Sequence, residues 1–456
     1  MAIQSINPLS GKRIQTYKEE TSKTVEAKIE AGHKAWLKWR GTSFEARGRL
    51  LLKAAAVLLE QKNDLAVLMA REMGKPLKDG IAEIEKCASV CTYYAEKGAA
   101  FLKDEKIKTE ARNSFVTYQP IGVVLAVMPW NFPYWQCFRF IAPALMAGNT
   151  GLLKHASNVP GCALSIEQVL LKAGFPKGVF QTLLVGSKAV KEIIAHPLVK
   201  AVTLTGSTEA GQQVAAQAGS QIKKTVLELG GSDPYVILED ADLELAATVC
   251  AQSRLINNGQ SCIAAKRFIV VKQVEREFVR LFKEKMSNKK LGDPLDAATN
   301  LGPMSRADLR DELHQQVLKN IEEGAVCILG GTIPAFKGKH AFYTPTILTK
   351  VKKGMTGYKD ELFGPVACVI TARNEAHAIA IANDTSFGLG AAVFTRDVKK
   401  GERIAREQLQ AGACFVNTLV KSDPRVPFGG INQSGYGREL GSFGIREFVN
   451  IKTVWR

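Results

Sequence analysis

The segment INNGQSCIAAKRF (256–268) carries Cys262 just after a glycine-bearing turn. A thiolate there would be a strong nucleophile, although a single cysteine is often an inert, buried hydrophobe. The histidines nearest in the chain are His196 and His314, so any base must come from another segment. LELGGSDP (227–234) offers one. Glu228 closes an apolar stretch and meets Gly-Gly, where a desolvated carboxylate titrates high and can act as a general base; a cap or salt bridge fits the same pattern. In AVMPWNFPYWQCFRF (126–140), Asn131 is an amide donor suited to a developing oxyanion. Arg139, further along, has a fork that binds both oxygens of a carboxylate, or of a structural ion-pair partner.

Two more segments suit a nucleotide. VTLTGSTEAGQQ (202–213) runs from strand through a Gly-bounded turn into a helix, whose free N–H groups favour phosphate. The spacing Gly206–x4–Gly211 is not the GxGxxG fingerprint, and an ordinary turn explains it equally well. LLKHASN (152–158) ends a strand at Lys154, with Ser157 three residues on. In a dinucleotide site an acid at such a strand end bonds the ribose 2′-OH. Lys154, His155 and Ser157 supply no acid and leave room and charge for a 2′-phosphate, unless Lys154 is simply a solvated loop residue.

The elements that must position these groups are legible as a pattern. Residues 45–104 have helical spacing, and 105–120 read as a polar, extended excursion. Short apolar strands at 122–128, 150–155, 201–206 and 225–231 then alternate with helices. A second α/β series follows over roughly 230–430, with a helix expected at 242–257. Alternation of this kind predicts parallel sheets with right-handed crossovers, an α/β fold.

A chain of 456 residues is long enough for two or three domains. The formal charge of +17 would attract anions, but the basic residues are dispersed and form no nucleic-acid arm. Nine cysteines, an odd number without CxxC, predict neither a disulfide framework nor a zinc ribbon, and no metal site is expected. The N-terminus has no apolar signal core, and the apolar run 121–130 is too short to span a bilayer. The expectation is a cytoplasmic protein with reduced thiols, binding neither membrane nor nucleic acid.

Taken in order, PWNFP, the Lys154 strand end, TGSTEAG, ELGGSDP, GQSC, ELFGP (361–365), PFGG and SGYGRE resemble the aldehyde dehydrogenase superfamily over the whole chain. The resemblance implies a Rossmann-type cofactor domain (1–104 and 121–229), an α/β catalytic domain (230–432) and a small β oligomerisation flap (105–120 and 433–456), assembled as a homodimer or homotetramer. It implies Cys262 as nucleophile, Glu228 as general base, and Asn131 with the Cys262 N–H as oxyanion donors. Trp130, Lys154, Ser157, Gly206, Ser207, Glu361 and Phe363 would hold the cofactor. The thiolate, helped by the bound cofactor and backbone dipoles, would not need a histidine. The chain looks most similar to the bacterial members that oxidise succinate semialdehyde, with Arg139 and Ser422 facing the substrate. An enzyme acting on other ω-carboxylated aldehydes, such as glutarate semialdehyde, is the alternative. Some semialdehyde enzymes carry a second arginine six residues before the cysteine. Here that position is Ile256, and the nearest arginine is Arg254. Ser157 stands where many NAD-using members have glutamate, which implies a preference for NADP over NAD.

Overall fold

The computed structural model describes residues 2–456 apart from 337 and 339. Its first sheet runs, in spatial order, Gly435–Tyr436, Lys224–Glu228, Val199–Thr205, Val123–Met128, Thr150–His155 and Phe180–Thr182. The last five are parallel, and Gly435–Tyr436, within the segment assigned to the flap, is an antiparallel edge strand beside Leu227–Glu228. The near-continuous apolar runs of VVLAVM and TGLLKH reflect a sheet covered on both faces by helices. The chain starts this sheet at Val123–Met128, proceeds to one side, then crosses back to the other. That reversal makes a crevice at the carboxyl ends of the strands, where α/β sheets bind ligands.

The second sheet has the order Val326–Leu329, Thr346–Thr349, Val366–Ala372, Arg267–Val271, Pro234–Ile237, Gly390–Phe394 and Ala413–Val416. Six of these strands are parallel and Val326–Leu329 is antiparallel. Its candidate residues precede strands instead of following them: Cys262 before Arg267, and Glu361 and Phe363 before Val366. The strand ending at Glu228 passes through Leu229–Asp233 directly into the strand beginning at Pro234. The carboxyl ends of one sheet are thereby set against the amino ends of the other.

The helix Leu77–Phe101 packs on the helix Trp135–Ala147, with Ile84, Tyr94, Phe138 and Leu145 buried in the same core. A third, antiparallel sheet joins Glu105–Lys106, Ser114–Pro120 and Val449–Trp455, with Val449 opposite Pro120 and Trp455 opposite Ser114. Among the elements that went unforeseen are the hairpin Ala2–Ile6/Arg13–Lys18, the strand Phe180–Thr182 and the helices Ser22–Trp39, Ala307–Glu322 and Val398–Glu407. The helix expected at 242–257 ends at Leu255. All nine cysteines are free, and among the described residues no helix is long and apolar enough to cross a membrane.

Candidate active site

The nucleophile turn is shaped by Asn257 (φ 54°), Asn258 (φ 58°) and Gly259 (φ 78°), three successive left-handed residues. Asparagine and glycine tolerate that conformation better than other residues, which is why the helix stops before them. Their side chains then fix the turn. Asn257 Nδ2 donates to the carbonyls of Asn131 (2.7 Å) and Gln260 (3.0 Å). Asn258 Nδ2 donates to Gly74 O and Pro303 O, both at 3.0 Å. A Cβ at Gly259 would run into the Gly364 backbone, so the turn seats against the ELFGP segment.

Asn131 is buried, and its Nδ2 donates to Gln260 O at 3.2 Å, two residues before Cys262. An amide nitrogen has two hydrogens, so one N–H is left to meet an oxyanion. The loop carrying Asn131 is clamped from the helix Leu77–Phe101. Glu83 Oε1 accepts from the backbone N–H groups of Tyr134 and Trp135, both at 2.9 Å. This caps a helix start that has no side-chain cap of its own and places a carboxylate at the positive end of the dipole. Glu83 is neutralised by the fully buried Lys75, whose Nζ sits 3.9 Å from the Phe132 ring centroid.

Cys262 is half-buried, and burial pushes its thiol up to about 12, against the pull of the Lys266 and Arg139 cations. The protein alone therefore holds it as a thiol at neutral pH. Lys266 Nζ bonds the Cys262 carbonyl at 2.6 Å and pairs with Glu361 at 2.9 Å, linking the nucleophile to the ELFGP segment. Nothing in the sequence pattern singles out Lys266, although it stands within CIAAKRF.

Glu228 is 2% exposed, and neither of its carboxylate oxygens has a hydrogen-bond partner. Burial, and then the nearby Glu439 carboxylate, hold its pKa well above the usual carboxylate range, with Arg139 and Arg438 pulling the other way. The Gly-Gly after it is required by close approaches. A Cβ at Gly230 would strike Glu361 Oε2, and one at Gly231 would lie 3.1 Å from the Cys262 carbonyl oxygen.

The groups expected at a cofactor cluster at the crevice. Gly206 N–H bonds the Glu228 carbonyl at 3.0 Å. Ser207 is exposed and caps the helix Thr208–Ser220, its Oγ accepting from Ala210 N–H. Gly211 packs that helix on Leu229, where a Cβ would lie 2.6 Å from the leucine methyls. Lys154 is half-buried, makes no ion pair among the described residues, and is lowered in pKa by burial. Ser157 is exposed beside a cavity of about 630 Å³ that Ser305 and Arg306 also line. Trp130 meets Phe363 edge-on, with ring centroids 5.8 Å apart. Free N–H groups at a helix start, an unpaired cation and an uncharged serine fit a dinucleotide bearing a 2′-phosphate.

Arg139 does not face open space. It is 2% exposed, its Nε pairs with Glu439 Oε2 at 2.7 Å, and its guanidinium lies 4.7 Å from the Phe428 ring centroid. Its Nε thus serves an ion pair, while its buried Nη2 has no hydrogen-bond partner. Arg254 is fully buried and donates to Gly259 O, supporting the turn from within. Ser422 is buried, its Oγ accepting from Lys86 Nζ and Trp135 Nε1, both at 2.9 Å.

The aldehyde dehydrogenase family model matches residues 1–454. A Synechocystis sp. protein named "Probable succinate-semialdehyde dehydrogenase NADP(+)" is 50% identical over 455 residues, with both chains fully covered. The Mycobacterium tuberculosis protein named succinate-semialdehyde dehydrogenase NADP(+) 1 is 48% identical over 458 residues, again with full coverage of both. The crystal structure of succinic semialdehyde dehydrogenase from Streptococcus pyogenes, in complex with NADP+, matches with a TM-score of 0.97 at 36% identity, covering all of both chains. With its motifs, its two facing sheets and this likeness in agreement, the chain belongs to the aldehyde dehydrogenase family.

Proposed function

We propose that this enzyme oxidises succinate semialdehyde to succinate, preferring NADP and also accepting NAD. The observation that supports the reading is the bond from Asn131 to the turn that presents Cys262, with Glu228 ending the strand that leads to the second sheet, in a chain whose full-length relatives bear that substrate and cofactor in their names. With the cofactor bound, Cys262 would give up its thiol proton to solvent, and the thiolate Sγ attacks the aldehyde carbon. The oxygen that gains charge is held by the second Asn131 N–H and the Cys262 backbone N–H. The oxidised nicotinamide, which Trp130, Glu361 and Phe363 would hold, would supply the hydride acceptor that lets the Cys262 adduct become a thioester. Glu228 then takes a proton from water, the hydroxyl adds to the thioester carbon, and the sulfur leaves with succinate released. A carboxylate with a raised pKa is suited to that task because it is a stronger base than an ordinary one.

Lys154 and Ser157 are the proposed 2′-phosphate end, with Gly206 and Ser207 at the pyrophosphate. The cofactor unit comprises residues 1–104 and 121–229, and the catalytic unit 230–432. The three-stranded sheet offers a self-association surface, because Val449–Trp455 is an edge strand exposing Ile451 and Trp455. A homodimer or homotetramer follows, and light scattering after gel filtration distinguishes the two. Nine free thiols accord with a cytoplasmic location.

Glutarate semialdehyde is a second reading, favoured by the apolar Ile256 at the position where a second arginine would shorten the reach. Initial rates with succinate semialdehyde, glutarate semialdehyde and butanal, with NADP and NAD in parallel, test the assignment. Highest kcat/KM for succinate semialdehyde with NADP is expected. Equal or better turnover of butanal would overturn the substrate reading.

A further inference from the structure

A cavity of about 190 Å³ opens beside the Asn131 loop, lined among others by Asp79, Lys86, Phe132, Trp135, Ile256 and Asn257. Two of its lining residues belong to the segments that carry the proposed catalytic groups: Phe132 follows Asn131, and Asn257, in the turn before Cys262, holds the Asn131 carbonyl. Lys86 is its cation without a counter-ion. Nζ bonds Ser422 Oγ and lies 4.1 Å from the Trp135 ring centroid, and no carboxylate pairs with it among the described residues. The nearby acids are otherwise engaged. Glu83 is held by Lys75 and two backbone N–H groups, and Asp423 pairs with Arg425 at 2.7 Å. Asp79 faces the same cavity, but burial raises its pKa and weakens it as a counter-ion. Lys75 is consumed by Glu83.

Ser422 adds a second constraint. Its two acceptor positions are filled by Lys86 Nζ and Trp135 Nε1, so its own O–H must donate. An ammonium with unused N–H groups and a hydroxyl obliged to donate together call for an anionic acceptor. Of the other cations nearby, Arg139 is committed through Nε to Glu439 and Arg254 through Nη2 to Gly259 O, while Arg139 Nη2 keeps no hydrogen-bond partner.

We propose that Lys86, acting with Ser422, is a further residue that recognises the substrate carboxylate and selects ω-carboxylated aldehydes over neutral ones. The inference rests on the semialdehyde reading above. In the full-length enzyme, the ratio of kcat/KM for succinate semialdehyde to kcat/KM for butanal is measured in the native protein, K86M and K86R. K86M removes the ammonium and its charge-assisted bond, which lowers that ratio by about 10- to 100-fold, mainly through the KM of the semialdehyde. K86R restores a large part of it, because the charge returns. A Lys86 that serves only to pack on Trp135 would change both substrates alike and leave the ratio where it was. A native preference that survives K86M within about twofold overturns the Lys86 assignment alone. A native enzyme with no preference for succinate semialdehyde over butanal overturns this inference and the substrate reading together.

Discussion

The Asn131 side-chain amide donates to the Gln260 carbonyl at 3.2 Å, so the proposed oxyanion donor is fastened to the same turn that presents Cys262. The donor and the nucleophile come from different sheets, and this bond sets their separation before any substrate arrives. Preorganisation of this kind makes a donor valuable, because nothing has to reorient as charge develops. Asn131→Ala is expected to lower kcat by about 10²- to 10³-fold with little effect on cofactor affinity. Steady-state kinetics beside a cofactor-binding titration read the two separately. A kcat within threefold of native would remove Asn131 from the oxyanion site.

Ser157 decides the cofactor preference if Lys154 and Ser157 meet the 2′-phosphate. Ser157→Glu places a carboxylate beside that phosphate and a hydrogen-bond acceptor beside a free 2′-OH. The ratio of kcat/KM with NADP to that with NAD should fall by about tenfold, since one repelled charge about 4 Å away near a protein surface is worth about 1 to 4 kcal/mol. An unchanged ratio would place the adenosine ribose elsewhere.

Lys86 gives the semialdehyde reaction its own pH signature. Burial, with Arg139 nearby, lowers its pKa to about 8, while Cys87, Glu83 and Asp423 pull it upward and Asp79 shares the cavity. The cation is present below that pH and lost above it. The KM for succinate semialdehyde should therefore rise as pH passes about 8, while the KM for butanal stays flat. Parallel KM profiles from pH 6.5 to 9.5, at saturating cofactor, check this. Parallel rises for both substrates would point to a group that does not touch the carboxylate.

The parallel strands were legible because both faces of each are covered, which leaves continuous apolar runs such as VVLAVM and RFIVV. The helix Ala307–Glu322 was missed because only a narrow stripe, Leu313, Val317 and Asn320, is buried, and its surface is densely charged. The hairpin Ala2–Lys18 was missed because most of its second strand is exposed, leaving no alternation to read. Cys262, Glu228 and Asn131 stood out through their flanking Gly, Asn and Pro residues, which the close approaches and left-handed turns explain. Lys86 and Glu439 gave no such signal. A lysine on a long amphipathic helix looks like surface until the chain folds Ser422 against it. Glu439 looks like any charged loop residue until Arg139 is buried against it.

Hydrolysis by Glu228 of a thioester on Cys262 is the step on which the proposed function turns. Glu228→Gln keeps the shape against Gly429, where a Cβ would lie 2.7 Å from Oε1, and removes the base. A rapid-mixing experiment with saturating succinate semialdehyde and NADP follows the reduced cofactor. The expected trace is a fast phase of about one equivalent per active site, then steady turnover slowed by about 10²- to 10⁴-fold. Steady turnover at the native rate, or no fast phase at all, would contradict that role.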